Sequence, residues 1–178
     1  MDTIFGLPAH PLLLHIPIVL IPLAAIGVLV MLIKPSWHRR YRWIVLGMGA
    51  AGAIGAVLAA EAGEQLEHRI VAAEGRQAAA SWQEHAEAGE TARNVALVFL
   101  IVLLVFVLLP WWQDRRGRNV EAEPVAPSHR DRTIAVTVSV LAAISAVGAV
   151  ATIVDAGHSG SKSVWESYVN DTEGETGG

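Results

Sequence analysis

Seven histidines carry most of the chemistry open to this sequence: His10, His15, His38, His68, His85, His129 and His158. Neutral imidazole is an axial ligand for haem iron and a ligand for zinc, copper and non-haem iron. The chain has no cysteine, which excludes disulfides, thiolate metal sites, iron–sulfur clusters and thiol nucleophiles. It also lacks a nucleophile elbow, a His-Glu-x-x-His zinc motif, a P-loop and a dinucleotide fingerprint. His15 sits in the apolar run Leu12-Leu13-Leu14-His15-Ile16. An ionisable group at such a place is costly unless paired, which makes it a candidate for function. His10 precedes it in Pro8-Ala9-His10-Pro11. Five helical residues turn through roughly 500°, so His10 and His15 do not share a face. His158 stands between Gly157 and Gly160, three residues after Asp155, and the glycines permit close approach of a flat group or another helix. His85 follows Trp82-Gln83-Glu84, and His68 follows Glu64-Gln65-Leu66-Glu67. His38 and His129 lie among arginines and read as solvated loop residues.

The elements that position these rings follow from composition. Of the 178 residues, 53% are hydrophobic and only 17% charged, against roughly 25% charged in an ordinary soluble domain. Mean hydropathy is +0.43. The net charge of −4 argues against nucleic acid as a partner. A membrane-spanning helix needs about 20 mostly apolar residues, and four stretches qualify, at about 11–33, 43–61, 94–112 and 134–156. The first keeps its place in the mature chain, since residues 1–9 carry no basic segment typical of a cleaved signal. These helices predict an all-α fold: one transmembrane antiparallel four-helix bundle over residues 1–169, followed by a disordered tail over 170–178.

Charge sets the expected orientation. Lys34, Arg39, Arg40 and Arg42 lie between helices 1 and 2, and Arg115, Arg116, Arg118, Arg130 and Arg132 between helices 3 and 4. The 62–93 segment and the C-terminal tail are acidic. The positive-inside rule then places 34–42 and 113–133 in the cytoplasm, and both termini with 62–93 outside, in a cytoplasmic membrane of prokaryotic type. Trp37, Trp43, Trp111 and Trp112 fall at the inner edge, where aromatic belts form. Gly47, Ala51, Gly55 and Ala59 form a row of small residues on helix 2, as do Gly52, Ala56 and Ala60, and Ala142, Ser145, Ala146 and Ala149 give helix 4 a similar face. Such rows let helices approach closely in lipid. Helix 3, bulky all round, is expected to face the most lipid. Pro17 and Pro22 each remove a donor from helix 1. Helix 2 is expected to continue past the membrane through Glu64, Leu66, His68 and Ile70, and helix 3 to begin early, since Ser81 with Glu84 fits a capping box; the 118–132 stretch reads as a flexible loop, and no internal repeat is evident.

The run Gly6-Leu-Pro-Ala-His10-Pro-Leu-Leu-Leu-His15-Ile-Pro-Ile18 resembles the opening motif of the membrane family called domain of unknown function 2231. The Gly/Ala-rich helix 2 ending Glu61-Ala-Gly-Glu64, the His85 before helix 3 and Gly157-His158-Ser-Gly160 extend the resemblance over nearly the whole chain. It implies a small four-helix membrane protein with a haem-binding or redox role, and singles out His10, His15, His85 and His158. On that basis the expected cofactor is haem b near the outer face, held by His15 with His85 or His158, the remaining histidines being able to hold a second haem. The expected role is electron transfer, with the lipid bilayer, a larger respiratory or oxidoreductase complex, or a quinone as partners. Two rival expectations stand beside it. One is an accessory subunit without catalysis. The other is a transition-metal site built from His15, His68, His85 and His158, with Glu61 and Glu64 spaced to join His68. No feature identifies an enzyme's substrate.

Overall fold

In the computed structural model, residues 3–4, 7–74, 82–118 and 128–175 are described. A two-residue antiparallel hairpin, β1 (Thr3–Ile4) and β2 (Leu7–Pro8), precedes the helices, with Thr3 opposite Pro8. Four helices follow: α1 (Ala9–Ile33), α2 (His38–Glu74), α3 (Gln83–Arg118) and α4 (His129–Glu175). A single 3-10 turn at Pro35–Trp37 joins α1 to α2. Each helix packs on its neighbour in the chain, and α4 closes the ring against α1. Four helices are long and apolar enough to cross a membrane. The surface agrees with that: Ile26, Ile44, Ile101 and Ile144 are all more than half exposed, an apolar coat that water would not tolerate.

Close packing comes from the stripe on α2 that faces inward. A side-chain carbon at Gly52 would lie 2.7 Å from Ile21, one at Gly55 would lie 2.5 Å from Ile16, and one at Gly49 would lie 2.4 Å from Leu103. These glycines therefore let side chains of α1 and α3 seat directly on the α2 backbone, and such close approach is how helices gain contact in lipid without a hydrophobic driving force. Of the expected row, Gly55 and Ala59 are buried, whereas Gly47 and Ala51 face outward. A four-residue spacing drifts round a 3.6-residue helix, so the buried stripe steps instead through Gly49, Ala53, Ala56 and Ala59. Phe99, Ile21, Leu103, Val28 and Val107 fill the centre.

Several expectations change. The continuation of α2, to Glu74, and the early start of α3, at Gln83, are as expected, but α4 continues through Asn170–Glu175, where a disordered tail was expected. Helix α3 is not the one most exposed to lipid. Only 17% of the apolar stretch of α4 is buried, against 28% of that of α3. The bulk of α3 is the reason, since Phe99, Leu103 and Val107 point into the bundle, whereas α4 offers it mainly Ala142, Ala146 and Ala149 and leaves residues 129–137 exposed. The capping box expected at Ser81 and the centre of the 118–132 loop lie outside the described residues. A reciprocal cap does occur at α4. There Ser128 Oγ accepts the Asp131 N–H (3.2 Å) and Asp131 Oδ2 accepts the Ser128 N–H (3.1 Å).

Candidate functional site

The antiparallel course brings the start of α1, the end of α2, the start of α3 and the end of α4 to one end of the bundle. His10 is the second residue of α1 and His85 the third of α3. His10 is half-buried, and its Nδ1 donates to the carbonyl of Ala59 on α2 at 2.7 Å. The ring lies over Gly63, where a side-chain carbon would be 3.1 Å from both Nδ1 and Cε1. His85, also half-buried, repeats the arrangement on α4. Its Nδ1 lies 3.1 Å from the Ala156 carbonyl and 3.2 Å from Ser159 Oγ. A side-chain carbon at Gly160 would be 2.8 Å from its Cε1. Each ring thus occupies a seat of the form Ala-x-x-x-Gly, with the carbonyl of the first residue as acceptor and the missing side chain of the last as space. The first half of the chain and the second half use one device twice, a repeat that sequence comparison does not reveal because the three intervening residues differ.

The two rings meet edge to face, with centroids 5.9 Å apart and planes at 79°. A carbonyl can only accept, so Nδ1 is the donor in both rings and Nε2 is the nitrogen left to other partners. Among the described residues neither Nε2 has a hydrogen-bond partner. Fixing one imidazole nitrogen on a backbone carbonyl is the usual way of orienting the other as a metal ligand. Ser159, 7% exposed, donates its own proton to the Ala156 carbonyl at 3.0 Å, so its oxygen is turned to accept from His85.

The other histidines are placed differently. His15 is exposed, and its Nδ1 donates to Pro11 O of its own helix at 2.8 Å. It lies roughly 140° round α1 from His10, as five residues require, and so does not join His85. His158 is exposed on α4, where its neighbours Ser159 and Gly160 are the ones that face inward, and His68 is exposed on the extension of α2. His15, His68 and His158 are therefore not gathered with the pair. No group of three His, Asp or Glu side chains able to hold a metal ion occurs among the described residues. Around the pair, Arg93 bridges Glu64 of α2 (3.6 Å) and Glu90 of its own helix (3.2 Å), and Lys162 of α4 reaches Glu84 of α3 (3.6 Å). These exposed pairs tie the helix extensions together at modest strength.

His38 departs from the solvated-loop expectation, whereas His129 is exposed as expected. His38 Nε2 donates to the Phe106 carbonyl of α3 at 3.1 Å, and its ring packs edge-on against Phe106 at 5.0 Å. The cause is Pro110. Phe106 O would normally accept the N–H four residues on, and proline has none. His38 supplies the donor from another helix, which spares an unpaired carbonyl in lipid.

A family model described as "Predicted membrane protein (DUF2231)" matches residues 6–173. The chain belongs to this family. No curated protein and no solved structure matches it. In this DUF2231 member the matched span contains both seats and both rings, and the family's description agrees with the four apolar helices in making it a membrane protein. The opening motif is thereby given a physical meaning. Its first histidine, His10, faces the bundle and its second, His15, faces away.

Proposed function

We propose that this membrane protein holds a b-type haem through His10 and His85 and serves in electron transfer. The observation that carries the reading is the pair itself. Two half-buried imidazoles, contributed by different helical hairpins, stand 5.9 Å apart with Nδ1 committed to main-chain carbonyls and Nε2 without a hydrogen-bond partner among the described residues. His10 and His85 are the residues that would hold the haem, and their rings would have to part from the edge-to-face contact to admit it. The number of donors favours haem over a bare ion. Zinc sites take three or four protein ligands, whereas haem iron in its macrocycle takes up to two, and no third candidate joins the pair among the described residues. When bound, haem supplies one-electron chemistry at the iron. The protein's part is to fix the two rings, with Ser159 and the carbonyls of Ala59 and Ala156 setting their orientation and basicity.

The positive-inside rule would put the end bearing Lys34, Arg39, Arg40 and Arg42 in the cytoplasm of a prokaryotic-type membrane, and the histidine pair with both termini outside. An electron partner, whether a quinone or a larger oxidoreductase complex, would then meet the haem near that outer face. A second reading rests on the direct contact of the rings, which clasps the two hairpins without any bound group and fits an accessory subunit. A reduced-minus-oxidised visible spectrum of the full-length protein, purified after expression with ample haem, separates the two, with a pyridine haemochrome assay on the same sample. Sharp reduced bands that vanish in both His10→Ala and His85→Ala are expected. A colourless wild-type protein sinks the haem reading and leaves the clasp.

A further inference from the structure

The opposite end of the bundle carries a second pattern that the histidine pair does not use. Cations and aromatic rings alternate there in two short ladders. In the first, Lys34 Nζ lies 4.8 Å from the Trp37 ring centre, Trp37 meets Tyr41 at 5.3 Å, and Arg40 lies 5.7 Å over Tyr41. In the second, Arg42 lies 5.6 Å over Trp43, Trp43 meets Trp111 of α3 at 5.7 Å, and Arg115 lies 4.4 Å over Trp111. We propose that these ladders form a binding site for the net-negative headgroup of an anionic phospholipid.

Three observations support the proposal. First, ring faces rather than carboxylates hold these cations. Lys34, Arg40 and Arg115 form no ion pair among the described residues, so their charge remains available to an external anion. Second, they are held at the right depth. Tryptophan and tyrosine settle at the level of the headgroups, and a cation stacked on such a ring is kept there with it. Lys34, Arg40 and Arg115 are exposed, as are Trp37 and Trp43. Guanidinium adds a planar fork of donors that matches phosphate. Third, the site is built before a lipid arrives. The His38 bond to Phe106 ties the first turn of α2 to α3 close to Trp111, so the ladder that crosses from Trp43 to Trp111 needs little ordering on binding.

The test uses the full-length protein in detergent, titrated with phosphatidylglycerol or with phosphatidylcholine of the same acyl chains, and native mass spectrometry to count retained lipid. Preferential retention of phosphatidylglycerol is expected, falling by about fivefold for each cation removed in R40Q and in R115Q. W111L, which keeps every charge but removes a platform, should also weaken it. R93Q, at the other end, should retain the wild-type preference. Equal retention of the two lipids by the wild type overturns the proposal, as does an undiminished preference in the R40Q/R115Q double variant. Displacement of the lipid by millimolar inorganic phosphate also overturns it, because the site would then be one for the free anion.

Discussion

Adding one carbon at Gly160 tests whether the imidazole seats matter to this protein. In Gly160→Ala the new carbon would fall 2.8 Å from His85 Cε1 and 3.1 Å from Nδ1. Carbon atoms rest comfortably at roughly 3.5–4.0 Å, so the ring must retreat by more than half an ångström. It cannot retreat freely, since Nδ1 is held by Ala156 O and Ser159 Oγ at 3.1 and 3.2 Å. Losing that anchorage costs about 1 kcal/mol, and overpacking adds about 1–3 kcal/mol. The better helix propensity of alanine returns about 1 kcal/mol. The expected net is a loss of about 1–3 kcal/mol. Gly157→Ala, three residues away on the same helix, is the control, because nothing lies within 4 Å of its added carbon. It should be neutral or stabilising by up to about 1 kcal/mol. Gly63→Ala, with contacts of 3.1 Å to the His10 ring, should fall between them. Unfolding of the three variants in mixed micelles, followed by far-ultraviolet circular dichroism, gives the ranking. If Gly160→Ala is as stable as Gly157→Ala, the ring does not occupy the seat and the account of the site fails with it.

Further outcomes follow from the same geometry. His15→Ala should leave any haem signal and its bands unchanged, because His15 bonds only within its own helix; loss of the signal would return His15 to the ligand set. His38→Ala should destabilise the bundle by about 1–3 kcal/mol through the Phe106 carbonyl it leaves unpaired. In a Pro110→Ala background, where the main chain supplies its own donor, most of that penalty should vanish, and additive effects in the double-mutant cycle would refute the proline explanation. The chain has no native cysteine, so single cysteines introduced at Glu64 and Arg39 report orientation cleanly. An impermeant thiol reagent added to intact cells should reach the first and not the second, and the reverse pattern would invert the orientation.

The legible parts of this molecule were those that depend on local composition. The four apolar stretches, the basic and acidic ends, the aromatic edge and the separation of His10 from His15 onto different faces all follow from residues close in sequence. The length of α4 was less legible, because its polar extension continues a hydrogen-bonding pattern already begun in the membrane-spanning part, and hydropathy does not register that. The site was half legible. His85 and His10 stood among the candidates, but His15 drew more weight, since an imidazole inside an apolar run is the more conspicuous. Ser159 and Gly160 lay within the motif around His158, yet it was they, and not the histidine, that faced the bundle. His38 could have been found from Pro110, whose missing N–H calls for a donor to Phe106 O, although nothing local to Pro110 says which side chain answers.

By itself, then, the sequence determined that four helices cross a membrane, that their two ends carry opposite charge, and that histidines accumulate near the acidic end. Hydrophobicity and charge act residue by residue, so composition suffices for all three. Only the tertiary structure decided which histidines face one another. That depends on the rotation of each helix about its axis, which is set by where glycine and alanine on a distant helix permit close approach. His10 finds its acceptor 49 residues away and His85 finds its own 71 residues away, separations over which no local rule of spacing can reach.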